Sequence, residues 1–164
     1  MVVVGLGYAG LPVALRAVEV GYRVVGLEAD GRRVKRLLAG ESHVEDIEAA
    51  QVMEALASGR FLPTEEADGA HGFHVAVIAV PTPLKEASPD LSHIETAVRA
   101  LAPHVQPGST FVVESTTYPG TTEELVAPIL EDGSGLAAGL QFHLGYSPER
   151  IDPGNPEHGL ANTL

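Results

Sequence analysis

Val2-Val3-Val4-Gly5-Leu6-Gly7-Tyr8-Ala9-Gly10-Leu11-Pro12 decides the fold. The three valines read as a short strand buried on both faces. Leu11 to Val20 has helical apolar spacing and stops at Gly21, a helix terminator. Between them stand three glycines in the pattern G-x-G-x-x-G. Each has a physical reason to be there. Gly5 permits a tight turn, Gly7 lets a pyrophosphate approach the backbone, and Gly10 lets helix and strand pack closely. Free N–H groups at the helix start then face the phosphates. Pro12 lies in the first helical turn, where its missing donor costs little. Gly5, Gly7, Tyr8, Ala9 and Gly10 are therefore the candidate phosphate-binding turn.

The glycines alone are weak evidence, because the same pattern also serves as a plain strand–helix turn. Glu28 strengthens the reading. It closes a second predicted strand, Arg23 to Leu27, and stands eighteen residues past Gly10, close to the spacing of about 20 in dinucleotide-binding units. A carboxylate there hydrogen-bonds the adenosine ribose hydroxyls and repels a 2′-phosphate, which favours NAD over NADP. Arg32, Arg33, Lys35 and Arg36 follow at once. They neutralise cofactor phosphate, or accept a 2′-phosphate and make the enzyme NADP-dependent, or form a solvated helix face, which is the reading preferred for most of them. Arg33 is the exception put forward as a cofactor contact.

Outward from this unit the patterns alternate. Asp30 caps a predicted helix carrying Val34, Leu37 and Leu38. Ile47 to Leu56 is a third helix and Arg60 to Thr64 a weak strand. His74 to Val80 is a nearly continuous apolar run, the strongest strand signal in the chain. A Pro-rich loop covers Pro81 to Pro89; its Lys85 to Pro89 part has a lid's composition but reads as a solvent loop. Ile94 to Leu101 is helical, Thr110 to Val113 a strand, Glu123 to Leu130 a helix, and Phe142 to Tyr146 the last strand. Strands alternating with helices predict a doubly wound, Rossmann-type α/β fold, a mostly parallel sheet with helices on both faces. Such sheets bind ligands at the carboxyl ends of their strands.

Composition narrows the function classes. The chain has 164 residues, 45% hydrophobic and 20% charged, which suits one globular domain with one core. Its formal charge of −12 disfavours nucleic acid and anionic membrane surfaces as partners. No apolar run approaches a membrane span, and no basic stretch precedes an apolar one at the N-terminus, so no secretory signal is expected. Without cysteine, the chain has no disulfide, thiolate zinc site or cysteine nucleophile. His71 and His74 are three apart, but no acid–histidine cluster has ligand spacing, so no metal is expected.

Three later segments say more than the glycines. Val80-Pro81-Thr82-Pro83-Leu84 follows the strongest strand. Glu114-Ser115-Thr116-Thr117-Tyr118-Pro119-Gly120-Thr121-Thr122 follows the next one. Ser147-Pro148-Glu149-Arg150-Ile151-Asp152-Pro153-Gly154-Asn155 follows the last. With the glycine turn, these resemble the UDP-glucose/GDP-mannose dehydrogenase family over essentially the whole chain. Their wording is most similar to its UDP-N-acetyl-hexosamine 6-dehydrogenase branch. The resemblance implies two successive oxidations of a sugar C6 alcohol to the carboxylate by NAD, through a thiohemiacetal and a thioester on a cysteine.

By that resemblance Glu149 matches the catalytic glutamate associated with thioester hydrolysis. Thr117 matches a threonine that positions a catalytic water, and Thr82 one that contacts the cofactor near its nicotinamide. Both Thr117 and Glu149 belong at once to the catalytic and the cofactor set. The family more often has valine at the position of Ala9. Residue chemistry supports these roles in part: a glutamate in a cleft can act as a base when burial raises its pKa, and a threonine hydroxyl both donates to and accepts from water. Taken singly, Glu149 is an exposed loop acid, Thr117 a turn residue and Thr82 a loop hydroxyl. Glu114 lines the site or merely packs at a strand end. Ser115 lacks a nucleophile-elbow context.

The family also implies a continuation past the position of Leu164, into a connecting helix and a nucleotide-sugar domain. Those parts carry its cysteine, lysine and asparagine, and most of its sugar contacts. Residues 1–164 are accordingly expected to be an N-terminal NAD-binding domain, inactive alone. The piece itself is expected to be monomeric or weakly associating, with Leu160 and Leu164 exposed or frayed. The full-length protein is expected to be a cytoplasmic homodimer. The competing readings are a stand-alone NAD-binding module without catalysis, and a different Rossmann dehydrogenase of hydroxyacid or phosphogluconate type.

Overall fold

A computed structural model describes residues 1–85 and 88–149 of the chain. Its main sheet has six strands. These are β1 (Val2–Val4), β2 (Val24–Leu27), β3 (Phe61–Thr64), β4 (Val75–Ile78), β7 (Thr110–Val113) and β8 (His143–Tyr146), with β5 (Leu84–Lys85) and β6 (Ser88–Pro89) forming a separate hairpin. The order across the sheet is β3-β2-β1-β4-β7-β8. Every pairing in it is parallel: Val3 faces Gly26 on one side and Val77 on the other, and Val113 faces Tyr146. The strand order reverses between β1 and β4, the switch point where a doubly wound sheet opens its ligand crevice.

Both faces are covered. Val3 points into a core with Leu11, Leu15 and Val18 of α1 (Gly10–Glu19) and Val52 and Ala55 of α3 (Ala49–Ala57). Val2 and Val4 point the other way, toward Ile94, Val98 and Leu101 of α4 (Ser92–Leu101) and Ile129 and Leu130 of α5 (Ala127–Ser134). Successive strand side chains alternate faces, so two cores require an unbroken apolar run. The fully buried Phe111 and Phe142 anchor the second core, each worth about 2–3 kcal/mol of burial. The remaining helix, α2 (Gly31–Leu38), is capped by Asp30, whose side chain accepts the Arg32 N–H. The Rossmann-type fold is as the sequence predicts.

Several predicted elements shift or split. The apolar run from His74 gives a strand only over Val75–Ile78. Residues 67–70 and 102–104 form short 3₁₀ turns that sequence patterning did not predict. The predicted helix from Glu123 to Leu130 is in fact a π-helical turn over Thr121–Val126 followed by α5. Pro128 supplies the reason: it withholds the N–H that would close an α-helical bond onto Glu124. The loop from Pro81 to Pro89 contains the β5–β6 hairpin. Residues 86–87, within the segment with a lid's composition, lie outside the described residues, as do Leu160 and Leu164.

The three glycines of the turn are not equivalent. Gly5 has φ +87°, and a Cβ there would lie 2.6 Å from the Ala79 carbonyl oxygen. A Cβ on Gly10 would collide with the Gly5 carbonyl oxygen, while one on Gly7 would meet nothing within 4 Å. Gly10→Ala should therefore lower unfolding stability by about 3 kcal/mol, whereas Gly7→Ala should change it by less than about 1 kcal/mol. Urea unfolding of both variants checks this; equal losses would contradict it.

Candidate functional site

The glycine turn is locked from three directions. The Gly5 N–H donates to the Leu27 carbonyl at 2.8 Å, carrying the β1–β2 ladder into the turn. The Leu6 N–H donates to Glu28 Oε2 at 3.1 Å, and the Asp30 N–H donates to Glu28 Oε1 at 3.0 Å. The Leu6 carbonyl lies 2.7 Å from His43 Nε2. A carbonyl only accepts, so this nitrogen carries a proton. The Leu6 side chain is fully buried against Gly26, where a Cβ would come within 3.0 Å of it. Sequence reading did not single out His43 or Gly26, because both contacts join segments distant along the chain.

Glu28 ends β2 with only 8% of its surface exposed. Arg33 approaches it, with Nη1 3.6 Å from Oε2. The neighbouring cations are turned elsewhere: Arg32 pairs with Asp30 at 2.9 Å, and Arg36 with Glu41 at 3.3 Å. Arg33 is thus the member of the basic cluster that faces the predicted ribose acid.

The turn also fits a dinucleotide. No side chain caps the N-terminus of α1, and no acidic residue stands in its first turn. First-turn N–H groups without intrahelical partners favour an anion. The space above Gly7 is open, Tyr8 is exposed beside it, and the buried acid stands at the end of the next strand. Tyr8 and Ala9 belong to the same turn as the three glycines, as predicted.

Thr82, Thr117 and Glu149 each follow a strand at the same edge of the sheet, after β4, β7 and β8, and each is half-buried. Ser115 ties two of these exits together. Its hydroxyl donates to the Val80 carbonyl at 2.8 Å and approaches the Ile78 carbonyl at 3.2 Å. The Glu114 N–H also donates to the Ile78 carbonyl, at 2.9 Å. Ser115 is therefore a buried pin between β4 and β7, and Thr117 leaves the sheet from that pinned point. A shallow cavity of about 430 Å³ opens beside it, lined in part by Lys85, Asp90, Glu95 and Tyr118. The segment from Arg150 to Asn155 lies outside the described residues.

The chain also brings together two acids. Glu114, at the end of β7, hydrogen-bonds the Glu149 side chain from the loop after β8. Burial is the larger reason that the Glu114 carboxyl is pushed up to about 7; the charge of Glu149 and the hydrogen bond between the two add to it. Two carboxylates side by side cannot both ionise cheaply. Glu114 is thus partly buried at the end of its strand, as the packing reading has it, and faces a second acid. Among the described residues, no group of three or more His, Cys, Asp or Glu side chains is placed to hold a metal ion. No described helix is long and apolar enough to cross a membrane.

A carboxyl whose proton affinity rises on folding stabilises the fold while it stays protonated. That contribution is complete below its unfolded value of about 4.5 and is lost as pH rises through about 7. Stability measured by denaturant unfolding should therefore fall between these limits, and Glu114→Gln should flatten that fall. An unchanged slope in the variant would remove Glu114 as its source.

Comparison with known proteins places these features in a family. A model of the UDP-glucose/GDP-mannose dehydrogenase family, NAD binding domain, matches residues 1–163. The chain is 38% identical to the UDP-N-acetyl-D-mannosamine dehydrogenase of Pyrococcus horikoshii, over 93% of this chain and 36% of that protein. It is also 38% identical to the UDP-N-acetyl-D-glucosamine 6-dehydrogenase of Pseudomonas aeruginosa, over 98% of this chain and 37% of that protein. The solved structure of the Pyrococcus horikoshii UDP-D-ManNAc dehydrogenase superposes with a TM-score of 0.87 at 37% identity, covering 94% of this chain and 37% of that one. A ternary complex of GDP-mannose dehydrogenase from Pseudomonas aeruginosa gives 0.86 at 32% identity, covering 93% and 36%. The chain thus spans little more than a third of the length of these relatives. A clamped glycine turn, an acid ending β2 and a match over nearly every residue lead to one conclusion: the chain belongs to the UDP-glucose/GDP-mannose dehydrogenase family and is an NAD-binding domain of that family.

Proposed function

We propose that residues 1–164 are the cofactor half of a longer NAD-dependent dehydrogenase that oxidises the C6 alcohol of a UDP-sugar, a UDP-N-acetyl-hexosamine in particular, to the uronic acid. The observation that carries this reading is the convergence of Thr82, Thr117 and Glu149 on the sheet edge that also holds the glycine turn. The relatives named for UDP-N-acetyl-mannosamine and UDP-N-acetyl-glucosamine support the choice of sugar. On this reading most sugar contacts, and the nucleophile, come from outside this chain, which does not turn over alone. The longer protein is a cytoplasmic homodimer, and this piece is monomeric.

NAD supplies the hydride acceptor when bound. Gly5, Gly7, Tyr8, Ala9 and Gly10 hold its pyrophosphate against the start of α1. Glu28 takes the adenosine ribose: each of its oxygens accepts one backbone N–H, and a carboxylate offers about four lone-pair positions in all. Arg33 closes over the same end, and Thr82 contacts the nicotinamide side. Thr117 orients a water with its hydroxyl, and Glu149 takes a proton from that water in the acid-forming step.

The test uses the longer protein, with UDP-N-acetyl-glucosamine and UDP-N-acetyl-mannosamine as substrates and NADH absorbance as readout. Glu149→Ala should slow acid formation by about 100-fold or more while NAD still binds. An unaltered rate would remove Glu149 from the reaction, and no NAD reduction with any UDP-sugar would overturn the reading.

A further inference from the structure

We propose that Glu114 is a positioning residue for Glu149, and that the two side chains, delivered from the ends of adjacent parallel strands and joined by a hydrogen bond, accept the water proton as a pair. This rests on the role given to Glu149 above.

The geometry makes the pairing a consequence of the sheet. Val113 faces Tyr146 in the β7–β8 register, and the Ser147 N–H donates to the Val113 carbonyl at 2.9 Å. The two chains therefore leave the sheet side by side. Glu114 follows Val113 directly, and its N–H is held on the β4 side by the Ile78 carbonyl. Its Oε2 and the Oε2 of Glu149 are both buried. Water screens neither of these two oxygens. Among the described residues, Glu149 is the charged group that acts on Glu114. The β4 exit beside it presents the Ile78 and Val80 carbonyls, which the neutral Ser115 hydroxyl reaches from the β7 side.

A lone glutamate near its ordinary proton affinity is a weak base at neutral pH. Two facing carboxylates behave differently: the charge of Glu149 strengthens the hold of Glu114 on a proton. The doubly ionised pair takes one proton from the water, and the resulting hydroxide equivalent attacks the acyl carbon of the thioester, whose C–S bond then breaks so that the sulfur leaves as a thiolate on the nucleophile supplied from outside this chain. The proton then rests in the hydrogen bond between Glu114 and Glu149 and returns to solvent when the product acid leaves. A base matched to the working pH is the efficient arrangement. The direction of the Glu114 shift, toward about 7, agrees with this.

Two measurements test the proposal. In this chain, carboxyl ¹³C NMR should show a glutamate titrating near neutrality, and Glu149→Gln should move its midpoint downward. The absence of such a resonance, or an unmoved midpoint, would overturn the pairing even if variants of Glu114 fold poorly. In the longer protein, the rate of acid formation should rise with pH through the neutral range. In Glu114→Gln that rising limb should move down by at least about one pH unit, with KM for NAD and UDP-sugar unchanged. A lower rate with an unmoved limb would make Glu114 merely structural and contradict the proposal. Full activity in Glu149→Gln would instead defeat the catalytic reading of Glu149 itself, so the two failures are separable.

Discussion

The structure depends first on how Leu6 is held. Its N–H is bound by the buried carboxylate of Glu28, its carbonyl by His43, and its side chain fills the space that Gly26 leaves open. Leu6 lies between Gly5 and Gly7, so fixing it fixes the whole turn. A hydrogen bond to a buried charged group is among the stronger ones available, at about 1.5–3 kcal/mol. The same carboxylate that would read the ribose therefore also shapes the turn that would hold the pyrophosphate. Fold and cofactor pocket share one interaction at β2.

The second constraint is the parallel sheet. Parallel strands all deliver their exits to one edge, so residues far apart in sequence meet there without any direct chain contact between their segments. Ser115 and the Ile78 carbonyl pin the exits of β4 and β7 to each other. The ladder between β7 and β8 then sets Glu114 beside Glu149. An acid pair in a partly buried position is costly as structure alone, since one member must hold a proton that an exposed glutamate would release. The role proposed for Glu149 gives that cost a use.

Much of this was legible in the sequence because it was local. The glycine spacing, the acid ending β2, the Asp30 cap and the unbroken valine run each act over a few residues, and each fixes one element. Arg33 could be separated from its neighbours only weakly, until the α2 geometry turned Arg32 and Arg36 toward other acids. What sequence reading missed was non-local or stereochemical. His43 reaches Leu6 across 37 residues. Gly26 looked like an ordinary strand residue, although its missing side chain is the socket for Leu6. The π turn before α5 depends on one absent N–H at Pro128, which apolar periodicity does not register. Glu114 stayed undecided between site lining and strand-end packing because its partner lies 35 residues away in sequence.

The central claim is that this edge of the sheet is an NAD pocket whose specificity comes from Glu28. Calorimetric titration of the chain with NAD and with NADP under identical conditions tests it most directly. The account predicts that NAD binds and that NADP binds at least about tenfold more weakly, because a 2′-phosphate would face a buried carboxylate. Equal affinity for the two, or tighter binding of NADP, would contradict it.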